Sequence, residues 1–204
     1  MVIAALFDLD GTLVDLGAPA DDLAELRARL RALAEAEGVL LHHFGIFPMY
    51  RALCAAGRGA AGARTLIDSY EVRWARSTAR PLVRPDLLAA PIRLVTSNGR
   101  ACVQALRAEG LLPGGDGRDV TRDECADLKP SADPLLRAVF GLPADVSLPF
   151  VGDGRVDRQA VDAYLVSGGR PPLRFVPVAP GTGSPEPVRS ADELLAELGG
   201  VPCR

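Results

Sequence analysis

Val2-Ile3-Ala4-Ala5-Leu6-Phe7-Asp8-Leu9-Asp10-Gly11-Thr12-Leu13-Val14-Asp15 decides how this chain is read. Six apolar residues run from Val2 to Phe7 without polar alternation, as in a parallel strand buried on both faces, and Asp8 ends the run abruptly. Residues at the carboxyl end of such a strand project into the crevice where open α/β sheets bind ligands. Asp8 and Asp10 are two positions apart in extended chain and so share a side, and their repulsion is relieved by a proton or a cation.

Moving outward, the same form recurs. Ile92 to Thr96 and Leu148 to Val151 are short apolar runs that end in polar clusters, Thr96-Ser97-Asn98 and Gly152-Asp153-Gly154, and Leu173 to Val178 is a fourth strand. Helical patterns separate them: Arg100 to Glu109 stops at Gly110, and Asp133 to Phe140 opens with Asp as N-cap and Pro at the first helical position. A last helix is expected from Ser190, with a capping box to Glu193, after a Pro- and Gly-rich loop over 177–188. Alternating strand and helix predicts an α/β protein with a doubly wound parallel sheet. The segment 16–89 breaks the alternation. Leu23, Leu26, Leu30 and Leu33 form a helical stripe ending near Gly38, residues 46–56 and 63–79 also read as helices, and no convincing strand interrupts them. The expected organisation is a core of 1–15 and 90–204, with an all-helical insert at 16–89 placed where it covers the strand ends.

Composition narrows the function classes. With 204 residues, there is room for one domain with an insertion or for two small ones, which excludes a repeat array. A net charge of −3 supplies no broad positive field, so neither nucleic acid nor an anionic membrane is an expected partner. No apolar stretch is long enough to span a bilayer and the N-terminus lacks the basic residues of a secretory signal, so the expected location is cytoplasmic. The four cysteines are far apart and the two histidines are adjacent, a pattern that suggests neither a zinc site nor a disulfide framework. Of 23 basic residues only Lys129 is lysine. Such a lysine either survives by chance or stands where only a compact, rotatable ammonium fits, and the count leaves both open.

The chemistry-bearing residues cluster at the strand ends. Asp153 adds a third acid to Asp8 and Asp10, and hard oxygen donors without His or Cys favour Mg²⁺, which accepts one or two carboxylates plus a substrate phosphate. Thr96 ends a strand and Ser97-Asn98-Gly99 opens a helix, which fits an anion site and equally an ordinary N-cap. Lys129 precedes Pro130 and lacks the glycines of a Walker A loop, and Gly152-x-Gly154 lacks the third glycine of a dinucleotide fingerprint.

Four segments in order, Asp8-Leu9-Asp10-Gly11-Thr12, Val95-Thr96-Ser97-Asn98, Asp127-Leu128-Lys129-Pro130 and Val151-Gly152-Asp153-Gly154-Arg155-Val156-Asp157, resemble the four motifs of the haloacid dehalogenase-like (HAD) hydrolase superfamily. The resemblance is greatest to its phosphoglycolate-phosphatase-like branch, with the helical insert where that family carries its cap. It implies a Mg²⁺-dependent phosphatase acting on a small phosphate monoester: phosphoglycolate-like, sugar phosphate or nucleotide. Asp8 would be the nucleophile, Asp10 the acid and then base, and Thr96 and Lys129 would bind the phosphoryl oxygens together with Gly11, Thr12, Ser97 and Asn98. The metal would sit on Asp8, Asp10 through its carbonyl, and Asp153, with Asp157 behind them orienting Lys129 or a metal-bound water. Two acids spaced as Asp8 and Asp10 point to phosphate esters rather than dehalogenation. A phosphomutase of the same superfamily shares both, and a non-catalytic phosphate- or partner-binding relative is a third possibility. His42, His43, Phe44, Arg51, Arg73 and Arg76 are the insert residues available to set specificity, at a lid hinged near 14–18 and 85–91.

Overall fold

The computed structural model describes residues 5–83, 92–112 and 117–178; the helix expected from Ser190, the loop before it and the hinge at 85–91 lie outside them. Four parallel strands form the sheet: β1 (Ala5–Phe7), β4 (Ile92–Leu94), β5 (Leu148–Gly152) and β6 (Leu173–Pro177), in the order β4-β1-β5-β6. They are the four runs that sequence predicts. The chain leaves β1 to build β4 on one side and later β5 on the other. The order therefore reverses at β1, the place where α/β sheets open a crevice at their carboxyl ends.

The two-residue period of the strands distributes their side chains. Ala5 and Phe7 face one apolar cluster and Leu6 faces the other, which holds Phe150, Leu135 and Tyr164. Three helices fill the insert: α1 (Ala20–Ala36), α2 (Ile46–Ala55) and α3 (Ala60–Ser77). The leucine stripe behaves as its spacing demands, with Leu26 and Leu30 fully buried. The apolar core of the insert is continuous with that of one face of the sheet. Leu26, Met49, Leu53, Ile67 and Trp74 belong to the same cluster as Phe7, Leu9, Cys102 and Leu106, and α3 packs along α4 (Arg100–Ala108).

Three features differ from the sequence reading. A strand does interrupt 16–89: β2 (Val14–Asp15) pairs antiparallel with β3 (Arg80–Pro81), so the two connections to the helical insert run side by side as a ribbon. Strands of two residues carry no hydrophobic period, and this one forms because the chain ends meet; Arg80 Nε and Nη2 donate to Asp15 Oδ2 at 3.0 and 2.7 Å. Asp133 is not the N-cap of α5 (Asp133–Ala138); Ala132 is. The Asp133 carboxylate instead accepts the amides of Ala126 and Asp127, bracing the loop that leads to Lys129. Finally, α6 (Arg155–Val166) follows β5 directly, its first turn made of the residues that read as a motif, with apolar positions at Val156, Ala160, Val161, Ala163, Tyr164 and the helix end. Among the described residues no helix is long and apolar enough to cross a membrane.

Candidate active site

Three neighbouring strands end side by side and present Thr96, Asp8 and Asp153 in that order, because β1 lies between β4 and β5. The backbone continues the pairing to the very end: Asp8 N donates to Val151 O at 2.9 Å and Val95 N to Phe7 O at 2.8 Å. Lys129, more than a hundred residues away in sequence from Asp8, is brought in by the braced 126–128 loop. Its Nζ donates to Asp8 Oδ1 and to Asp157 Oδ1, both at 2.6 Å. Asp157 in turn accepts the Gly154 amide at 3.0 Å, which fixes it at the opening of α6. Carboxylate oxygens of Asp8, Asp153 and Asp157 lie within 4.8 Å of one another.

Gly11 explains how Asp153 comes so close. Its φ of +80° is a left-handed conformation that suits glycine, and a Cβ there would stand 2.6 Å from Asp153 Cγ. Its amide donates to Val14 O and that of Thr12 to Leu9 O, so both amides expected at a phosphate are used inside the turn. The Thr12 hydroxyl is buried and has no hydrogen-bond partner. Asp10 lies on the open side of the turn, where its carboxylate accepts the Leu16 amide at 3.0 Å.

The electrostatics follow from this crowding. Burial pushes the Asp8 carboxyl up to about 7, with Asp157 adding to the shift and Lys129 opposing it. Burial likewise raises Asp153, again with help from Asp157, and the surrounding protein raises Asp10 although it faces the crevice. For Lys129 burial works against the charge, but Asp157 and Asp8 outweigh it and hold the ammonium well above its ordinary value. Three acids thus share one cation, and the charge left over is relieved by protons or by a divalent ion. An all-oxygen donor set of this kind fits Mg²⁺.

Thr96, Ser97 and Asn98 form a second group. Thr96 Oγ1 donates to Asn98 Oδ1 at 2.8 Å and accepts from Asn98 N at 3.1 Å. Asn98 Nδ2 donates to Glu71 Oε1 at 3.0 Å, and Gly99 N to Glu71 Oε2 at 2.9 Å. Arg122, fully buried, donates to both Glu71 oxygens, to Ser97 O and to Asp68. Neither Glu71 nor Arg122 stood out in the sequence. The available signal was an acid on the buried stripe of α3, among Ile67, Tyr70 and Trp74. Of the insert residues, Arg51 reaches the core, donating to Lys129 O at 3.3 Å; Arg73 pairs with Asp22, while His42, His43 and Phe44 are exposed.

The chain thus has a parallel sheet with its acids and one lysine at the strand ends, and helices inserted after the first strand. Solved structures share this fold. A protein assigned as a phosphoglycolate phosphatase from Lactobacillus plantarum matches at 21% identity over 97% of this chain and 100% of its own, with a TM-score of 0.57. One assigned as a beta-phosphoglucomutase from Thermotoga maritima matches at 16% over 98% and 100%, TM-score 0.53. The HAD-hydrolase assigned as YfnB from Bacillus subtilis, bound to magnesium, matches at 14% over 97% and 99%, TM-score 0.53. No protein-family profile matches the chain, nor does any curated protein sequence. The chain has the fold of these structures, the haloacid dehalogenase-like (HAD) hydrolase fold.

Proposed function

We propose that this protein is a cytoplasmic phosphatase that hydrolyses a small phosphate monoester through an aspartyl-phosphate on Asp8. One observation carries the reading: Lys129 Nζ lies 2.6 Å from both Asp8 and Asp157, with Asp153 in the same cluster, at the carboxyl ends of adjacent parallel strands. An Asp8 oxygen attacks phosphorus in line as the ester bond breaks, and Asp10 gives a proton to the departing alkoxide. Asp10 then takes a proton from the water that attacks the acyl phosphate, which frees phosphate and restores Asp8. The raised pKa of Asp10 suits a group that must hold a proton in the first half. Lys129, positioned by Asp157, stabilises the phosphoryl oxygens as their charge shifts, and the Thr96–Asn98 loop binds the same group from the β4 side. Asp8 and Asp153, with the Asp10 carbonyl, would hold Mg²⁺, which would neutralise the acids and the phosphoryl charge.

The helical segment 16–89 is the cap over this crevice, and Arg51 is its contact to the Lys129 loop. The magnesium-bound structure of the Bacillus subtilis protein shows interdomain movement, which supports a cap that opens and closes. Purified protein should turn over an aryl phosphate with Mg²⁺, stop with EDTA, and lose at least about 10³-fold in kcat on Asp8→Asn. Absence of metal-dependent turnover sinks the reading. With a panel of phosphorylated acids, sugars and nucleotides, release of inorganic phosphate marks a phosphatase, whereas an isomeric phosphate ester as product marks a mutase.

A further inference from the structure

The buried pair between Glu71 and Arg122 joins α3 of the insert to the core, and its geometry does more than hold the two together. Glu71 is 2% exposed and spends one oxygen on the Asn98 side chain and the other on the Gly99 amide. A carboxylate only accepts, so the Asn98 NH₂ must face Glu71 and its Oδ1 must face Thr96. That orientation directs the Thr96 hydroxyl proton onto Asn98 and leaves the loop at the end of β4 with one arrangement. Arg122 compensates the Glu71 charge with two hydrogen bonds at 3.0 and 2.9 Å and ties the same acid to Ser97 O. The fit is close: a Cβ on Gly99 would stand 2.7 Å from Arg122 Nη2.

We infer that Glu71 is a positioning residue for the phosphate-binding loop, so that the loop is fully ordered only while α3 of the insert is docked on the core. The inference rests on the phosphatase reading above and adds to it a residue of the insert that acts through Asn98 and Gly99 rather than on the substrate. It makes insert docking and phosphate affinity two readouts of one hydrogen-bond network.

The test compares the wild type with Glu71→Gln, Asn98→Ala, the double variant Glu71→Gln/Asn98→Ala, and Trp74→Phe, measuring kcat and KM on an aryl phosphate, inhibition by inorganic phosphate, and Tm. Trp74→Phe lies on the same helix and removes a hydrogen bond to Asp22 rather than one to the loop, so it should lower Tm and leave the phosphate inhibition constant within twofold. Glu71→Gln sets an NH₂ against the Arg122 guanidinium and either the Asn98 NH₂ or the Gly99 N–H, and should weaken phosphate inhibition about tenfold or more. The double variant should be no weaker than Asn98→Ala by more than about threefold, since both break the Glu71–Asn98 link of one hydrogen-bond network. Should Glu71→Gln unfold, Glu71→Leu/Arg122→Met removes the buried charges together, a replacement that proteins often tolerate, and should show the same loss of phosphate affinity. Glu71 variants that shift only Tm, or effects at Glu71 and Asn98 that multiply, overturn the inference while wild-type turnover stands. A wild type without turnover or phosphate inhibition overturns the phosphatase reading and this one with it.

Discussion

Asp8 sits where three acids meet one ammonium, and its chemistry follows from that arithmetic. Its pKa is about 7 in the folded chain, against 3.8 for an ordinary aspartate, chiefly through burial. Between those values the folded protein binds the proton that the unfolded chain has released, so stability falls as pH rises. In EDTA the wild type should therefore lose Tm from about pH 4 to about pH 7. Asp8→Asn should show a clearly shallower decline, with a remainder from Asp10 and Asp153, which are raised in the same direction. Mg²⁺ at pH 7 should raise the Tm of the wild type more than that of the variant. Equal pH slopes in the two proteins would contradict the crowding described here.

The turn after β1 and the ribbon beside it show how far local patterns reach. Strand ends at Asp8, Thr96 and Asp153 were legible because an apolar run stops at a polar residue, and that signal is local. The ribbon of β2 and β3 was not, since four residues without alternation carry no period and pair only because the insert returns its end to its beginning. Gly11 lies between these cases. Its place in the turn is readable, but the reason that no other residue fits is Asp153, far away in the chain. Gly11→Ala should strain the backbone and displace that carboxylate, lowering Tm and weakening Mg²⁺ affinity by about tenfold or more, as a calorimetric titration would show. Unchanged metal affinity would separate Gly11 from the metal site.

The insert and one face of the sheet bury their apolar residues in one continuous cluster, so they should unfold together. Trp74, 4% exposed on α3, belongs to the same cluster as Phe7 and Leu106, and its Nε1 donates to Asp22 Oδ2 at 2.7 Å. Trp74→Ala should cost about 3–5 kcal/mol and lower the midpoint of a single calorimetric transition. Two transitions, of which only one moves, would mean that insert and core melt independently. From sequence the insert read as a separate helical unit, because a stripe of leucines announces which face is buried and not what it is buried against.

Hydrophobic period and abrupt polar stops were enough to specify four strands, the helices between most of them, and the strand-end acids, because each of those signals is carried by neighbours along the chain; Lys129 drew notice as the single lysine and through the motif resemblance. That Gly11 makes way for Asp153, and that an insert acid paired with Arg122 grips Asn98 directly, came from the folded structure alone, whereas the link between Lys129 and Asp157 was already implied by the motif resemblance. Contacts between residues tens of positions apart depend on how elements pack, and no local pattern in the sequence records that.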